Sequence, residues 1–500
     1  MRITNKVMQN NALTNINRNK TLQDTLNTQL ATGKKVARPS EDPVVAIRAL
    51  RLRSDVSQVS QYVDKNVSDA RSWLELTESA VKTTVAVVKD MIKQCEKGSS
   101  DTLKTEDRKI IIDSLKELRN EVYATGDADY AGRYIFTGYR TDTSLSFGED
   151  TTQKFTVTEL FNENDITKET YIDTANLTEI DEANYAQGGD AAIAEQDIAS
   201  MDYYRVRLSY NNLDAGQTLQ SLSIGGTDYA VTTMEDTDAA FNEAATNPDA
   251  VVFIPSTGEV LFGANMYEAI KNHEGDIQVS YDKTDWLSTD LRPQHYFYCT
   301  SQDAEGNTIE YNPDYLTDNS ISQKIAYQVG FNQEIQVNTY AEEIFQHDIG
   351  RDVDELIQYA NELTAAEEVL VKLEGMAKDT DSYSEDEIAL INKDLAAADK
   401  AVTLMKSQLQ EKFSHYITKM QSYLDDTDEA LTVVGNRGAK LDLIENRLTD
   451  QKTTFRTLQS ENEDADETEV AVLLSSAQVS YEAALMATSE MIQKTLLNYL

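Results

Sequence analysis

Leu52–Cys95, LRSDVSQVSQYVDKNVSDARSWLELTESAVKTTVAVVKDMIKQC, decides the fold. Leu52, Val56, Val59, Val63 and Ala70 step by fours and threes, with polar Asn66 in the one gap. Leu74, Val81, Val88 and Cys95 then fall seven apart, displaced by a single stutter. An α-helix returns to the same face every 3.6 residues, so this spacing predicts a long helix with one apolar seam, of coiled-coil type. Its start is marked by Asp42–Pro43, an acid at the N-cap and a proline at the first helical position. The glycine and polar residues of 98–101 predict its end, and the run Ile110 to Val122 predicts a second helix folded back beside it.

Working outward, the N-terminal stretch carries Ile3, Val7, Leu22, Leu26 and Leu30 at helical spacing among Asn, Thr and Gln, and Gly33 ends it. A helix so thinly apolar is marginal by itself and stays mobile until a partner supplies surface. At the far end, Val402, Met405, Leu409, Phe413, Ile417, Met420 and Leu424 form one seam, continued by Leu441, Ile444, Leu448, Phe455 and Leu458. After an acidic break from Glu461 to Glu469, Leu474, Ala477, Tyr481, Ala484, Thr488 and Met491 alternate by threes and fours, and Leu496, Leu497 and Leu500 follow. No proline occurs beyond Pro313, which permits long uninterrupted helices there.

Between these arms the period drops to two. YRVRLSY (204–210), VVFI (251–254), EVLFG (259–263), QVSY (278–281) and HYFYCT (295–300) read as strands. Pro255–Gly258 and Asp303–Gly306 have the composition of hairpin turns. The expectation is an α + β multidomain chain: a long antiparallel helical, coiled-coil rod made from both termini, with an inserted β-rich domain. Its segments are an inner helix over 1–42, rod over 43–140, an acidic β insert over 141–345, rod over 346–460 and an inner helix over 461–500.

Net charge is −41 over 500 residues, and residues 141–350 hold 38 acids against 8 bases, while residues 1–60 hold 10 bases against 4 acids. An acidic bulk repels phosphate, so wrapping of nucleic acid is excluded. Cys95 and Cys299 form no CxxC pattern, which argues against a disulfide framework. No apolar run of about 18 residues is present, so no membrane span is expected. The N-terminus has no apolar h-region of a cleaved signal, which by itself points to the cytosol.

Chemistry-bearing constellations are missing. His273, His295, His347 and His415 are dispersed, with no HExxH, no phosphate-cradling glycine loop and no GxSxG elbow. The acidic run from Asp127 has Gly138 where a calcium loop needs glutamate, and the run from Asp379 lacks the central glycine. Cys95 on the seam reads as a small buried residue. Neither catalysis, nor a metal, nor a cofactor is expected.

The opening MRITNKVMQNNALTNINRNKTLQDTLNTQLATGKKVARPSEDPVVAIRALRLRS resembles the flagellin superfamily, and more narrowly its branch of hook–filament junction proteins. Gln29–Lys35 with Gly33, then Pro39, Ser40, Asp42 and Pro43, carry that likeness; flagellins have an alanine–aspartate stretch in place of the prolines. Asp129–Gly138, with Tyr134, Phe136 and Gly138, continuing to Phe147, is a second match, and Val434–Arg437, Glu463–Asp466, Tyr481–Leu485 and Leu496–Leu500 a third. The resemblance implies a structural subunit that forms a ring between hook and filament and seats the first flagellins. It implies export through the flagellar type III channel to the cell exterior, with partners in the first hook-associated junction protein, flagellin, further copies of itself and an export chaperone. The innermost ring contact would fall to Ile3, Val7, Leu22, Leu26, Leu30, Leu474, Ala477, Tyr481, Ala484, Leu485, Met491, Leu496, Leu497 and Leu500. Two alternatives stay open: flagellin itself, and an adhesin or glycan-binding protein acting through the β domain.

Overall fold

In a computed structural model of the chain, residues 5–100, 103–175, 177, 193–214, 219–272, 276–303, 306–318, 321 and 323–493 are described. Ile3, His273, Leu496, Leu497 and Leu500 lie outside that set, and Met491 falls in the last helix. The chain is α + β. Four helices open it: α1 (Asn5–Thr32), α2 (Pro43–Gln61), α3 (Ser68–Gly98) and α4 (Thr105–Gly126). Fifteen short strands, a single helical turn at Tyr315–Asp318 and two longer helices, α5 (Thr237–Thr246) and α6 (Ala264–Lys271), occupy the middle of the described residues, and α7 (His347–Lys378), α8 (Glu385–Glu463) and α9 (Glu467–Gln493) close it. Two compact units result, one from 1–70, 327–335 and 439–500, the other from 71–326 and 336–438.

Local signals set the helix limits. Asp42 Oδ1 accepts from the N–H groups of Val44 and Val45 at 3.0 and 3.1 Å, with Pro43 at the first turn where its missing N–H costs nothing. Gly33, at φ +65°, takes the left-handed residue that ends α1. The stutter has a structural cause: Tyr62–Val67 is a π-helical turn. The extra residue brings Val67 into the gap assigned to Asn66, whose Nδ2 instead donates to the Gln328 carbonyl at 2.7 Å. From Val67 the seam runs through Ala70, Leu74, Thr77, Val81, Thr84, Val88, Met91 and Cys95, all buried. Burial pushes the Cys95 thiol up to about 12, so it is an inert seam residue.

In the second unit a five-stranded sheet has the order β4-β5-β10-β9-β8: β4 is Thr167–Asp173, β5 Ala199–Arg207, β8 Thr232–Thr233, β9 Val251–Ile254 and β10 Glu259–Phe262. A six-stranded sheet has the order β13-β12-β3-β11-β6-β7, with β3 at Thr151–Phe161, β6 at Ser221–Ile224, β7 at Thr227–Asp228, β11 at Ile277–Trp286, β12 at Tyr298–Gln302 and β13 at Thr308–Tyr311. The two share a core that includes Phe155, Val157, Val206, Val260, Tyr281 and Trp286. Alternation along β5 sends Val206 into that core and Tyr203, Arg205 and Arg207 to the other face. Tyr203 packs there with Phe241 of α5.

Arg205 and Arg207 enter a buried ionic network. Arg205 Nη2 reaches both Glu355 carboxylate oxygens at 2.7 and 2.8 Å, and Nη1 bonds Glu259. Arg207 bonds Asp352 at 2.5 Å, and Glu355 and Asp348 at 3.0 Å. From α8, Lys412 meets Glu355 at 2.9 Å, Lys419 meets Asp352 at 3.3 Å, and Tyr423 donates to Asp352 at 2.8 Å. Despite the cost of burial, Arg205, Lys412 and Arg207 hold the Glu355 carboxyl well below its ordinary range.

Several expectations need correcting. His295 ends a 3₁₀ turn (Pro293–His295), and the strand starts only at Tyr298. Along α8, Ile417 and Leu424 are half-buried, while Tyr416 and Tyr423 take the core places because their hydroxyls have acids of α7 to meet. Leu458 is exposed. The helix after Ile110 folds back as expected but lies closest to α7: Arg108 pairs with Glu367, Arg119 with Asp354, and the Gly350 N–H donates to the Tyr123 hydroxyl at 2.9 Å. The second motif is a hairpin, β1 (Asp129–Tyr130) with β2 (Arg133–Tyr134), turned by Ala131 and Gly132 at φ +54° and +76°. It buries Ile135 and Phe136, the latter edge-on to Phe345 at 4.9 Å. Gly138, at φ +60°, leaves room for Gln323, whose Oε1 would lie 2.4 Å from a Cβ.

Two predictions follow from buried charge. Arg205→Met leaves the buried Glu259 without an ion-pair partner and removes one of the three cations around Glu355, and is expected to cost about 3–5 kcal/mol in denaturant unfolding of the second unit. Glu159, inward on β3 and accepting from the Ser209 N–H at 3.2 Å and its hydroxyl at 2.7 Å, is pushed by burial to about 7 from an ordinary 4.5. A raised carboxyl favours the fold fully below its unfolded value and loses that contribution as pH climbs from about 4.5 to 7. Glu159→Gln is therefore expected to flatten the pH dependence of stability across that window.

Candidate assembly surface

The first unit is built on α1 and α9, which pack against each other. α9 is apolar almost all round, with valine, leucine and alanine spaced by serines. By length and composition Glu467–Ser489 could cross a membrane, contrary to the expectation of no such run, and only 17% of it is buried. The run was hidden because serine, glutamine, threonine and glutamate interrupt its apolar residues. α1 cannot cover it: Leu26, Val470 and Ala477 are buried together, with Leu474 packed against them.

A short clasp holds the pair in register. Lys34 and Asp464 form an antiparallel bridge: Lys35 N–H donates to the Glu463 carbonyl at 2.7 Å and Ala465 N–H to the Gly33 carbonyl at 2.9 Å. Arg53 grips Glu463 with two parallel bonds, Nε to Oε1 at 2.7 Å and Nη2 to Oε2 at 2.6 Å. Lys34 bonds Asp464 and lies 3.5 Å from Glu463. Arg53 first, then Lys34, hold the Glu463 carboxyl below its usual range, and Asp464 raises Lys34. Asn462 Nδ2 donates to the Val45 carbonyl at 3.1 Å, which fixes the start of α2 beside the end of α8.

Of the residues assigned to an assembly contact, Leu26, Leu474 and Ala477 meet inside the pair. Tyr481 and Ala484 are half-buried. Val7, Leu22, Leu30 and Leu485 are exposed. The sequence reading passed over three groups: the exposed Val472, Val479 and Met486; the exposed Val44, Ile47 and Leu50; and the charged clasp. The first group falls at sevens, a signal present in the sequence but masked by the stronger run through Leu474 and Tyr481. The clasp joins residues some 430 positions apart, which local pattern cannot reveal.

The second unit offers little chemistry by comparison. Among the described residues no group of three or more His, Cys, Asp or Glu side chains is placed to hold a metal. Burial pulls His295 and His347 down to about 3, so both are neutral core residues. A cavity of about 500 Å³ is lined by Arg205, Arg207 and Lys419, and all three are already paired with carboxylates.

Residues 3–141 match the bacterial flagellin N-terminal helical region. The flagellar hook-associated protein 3 of Escherichia coli (strain K12) is 32% identical over 117 residues, which is 23% of this chain and 37% of that protein. The flagellar hook-associated protein 3 of Salmonella typhimurium (strain LT2) is 29% identical over 143 residues, 28% of this chain and 45% of that protein. The chain thus spans less than half the length of these curated relatives. A solved structure of a flagellar hook-associated protein from Vibrio parahaemolyticus aligns over 85% of this chain and all of that one, at 14% identity and a TM-score of 0.35.

Glu463→Ala removes the anchor shared by Arg53 and Lys34. Amide hydrogen exchange is expected to speed up across 5–32 and 467–493 and to stay unchanged within 71–326. Equal protection in variant and parent would mean that the clasp does not hold the pair.

Proposed function

We propose that this chain, whose residues 3–141 match the bacterial flagellin N-terminal helical region, is a structural subunit of the bacterial flagellum that joins hook to filament. The observation that carries the reading is the pair α1–α9, clasped by charge at one end and apolar along its outside. Such a surface is costly in water and is satisfied when copies come together, so the role is assembly rather than catalysis. Copies of the chain form a ring above the first hook-associated junction protein and seat the first flagellins. The subunit leaves the cell through the flagellar type III channel, with a chaperone covering the apolar C-terminal helix beforehand. The proline pair at 39 and 43, with Asp42 capping α2, favours this role over that of the filament subunit.

The test is deletion of the gene, with negative-stain microscopy of the cells and assay of the medium for flagellin. Bare hooks and unpolymerised flagellin outside the cell are expected. Filaments of normal length on the deleted strain would sink the role.

A further inference from the structure

A cavity of about 250 Å³ in the second unit is bordered by the five-stranded sheet and by α5, α7 and α8. Its walls are aromatic: Tyr171 of β4, Tyr203 of β5, Phe241 of α5 and Tyr359 of α7. Tyr171 stacks on Phe241 at 5.2 Å, and the Lys412 ammonium lies 5.0 Å from the centre of the Tyr359 ring, so one face of each tyrosine is taken. Both tyrosines are half-buried and still line the cavity. Polar groups converge on the same space. Arg205 is 5% exposed, and although both its Nη atoms bond carboxylates, its Nε has no hydrogen-bond partner. A buried donor left in that state is costly, and an acceptor entering from the cavity would satisfy it. Asp238 and Glu362 also line the cavity, and among the described residues neither has a cation at ion-pair distance.

Aromatic walls, an unpaired donor and two carboxylates without a cation call for a ligand with an apolar face, an acceptor oxygen and a positive charge. We infer that this cavity binds a single pyranose ring bearing an amine, an amino sugar. Its C–H face lies on Tyr171 and Tyr359, a ring or hydroxyl oxygen accepts from Arg205 Nε, and its ammonium meets Asp238 and Glu362. A plain alkylammonium leaves Arg205 Nε unsatisfied. An acidic sugar sets its carboxylate against Asp238, Glu259, Glu355 and Glu362, all in the lining. The volume, small for a ligand site, takes one ring rather than a chain. Every residue of the site belongs to the second unit, so the inference does not rest on the junction role assigned to α1 and α9.

The test is saturation-transfer NMR on the full-length chain at neutral pH. The probes are D-glucosamine, D-galactosamine and D-mannosamine, their neutral counterparts glucose, galactose and mannose, and n-butylamine. At least one amino sugar is expected to bind with a Kd on the order of 1 mM, about tenfold tighter than its neutral counterpart and than n-butylamine. Asp238→Asn with Glu362→Gln, both at exposed positions, is expected to remove the preference for the amine and to leave the neutral sugar bound. Tyr171→Leu, checked as folded by circular dichroism, is expected to abolish binding of every sugar. No binding by any amino sugar overturns the proposal, as does n-butylamine binding as tightly as the sugars. A preference for the amine that survives the paired charge change overturns it too, whatever Tyr171→Leu does to the fold.

Discussion

Arg205 and Arg207, two positions apart on β5, tie a sheet to two helices, and the second unit is organised around them. Taking such charges out of water costs several kcal/mol each, and close mutual bonding at nearly every donor, Arg205 Nε excepted, offsets that cost. The bonding has strict geometry. Asp348, Asp352 and Glu355 lie at i, i+4 and i+7 on one face of α7, and Lys412 and Lys419 lie seven apart on α8. A slip of one residue in either helix would carry these groups off the face that meets β5. The network therefore acts on specificity of register more than on net stability. An apolar contact of equal area would tolerate sliding, whereas a guanidinium fork does not.

This division of labour explains which parts of the fold were legible. Helix and strand periods are local, so the seam from Leu74 to Cys95, the strands 251–254 and 259–262, and the Asp42 cap could be read from the chain. Tyr416 and Tyr423 could not, because their fitness for a core place depends on acids some 60 to 70 positions away. Aliphatic Ile417 and Leu424 were the better guess from composition alone, and they lost to hydrogen bonding. Val67 was missed for another reason. A π turn changes the angle between successive side chains, and no residue type announces it. The assembly surface was half legible: the apolar residues of α9 were visible, but not which side of the helix α1 would leave uncovered.

The polar character of α1 makes physical sense on this view. At roughly 25 cal/mol for each Å² buried, a leucine-rich α1 would satisfy α9 within one copy and leave nothing to drive association. An absent α1 would leave α9 apolar on every side and prone to unspecific clumping. A helix of Asn, Thr and Gln with one buried leucine does neither. It needs the clasp at Lys34, Arg53, Glu463 and Asp464 to hold register, since its own apolar contact is too small to do so. Charge thus sets the alignment of the two terminal helices, and the apolar area left over is available to other copies. On the role proposed, the same pair is marginal in one chain and becomes firm between copies.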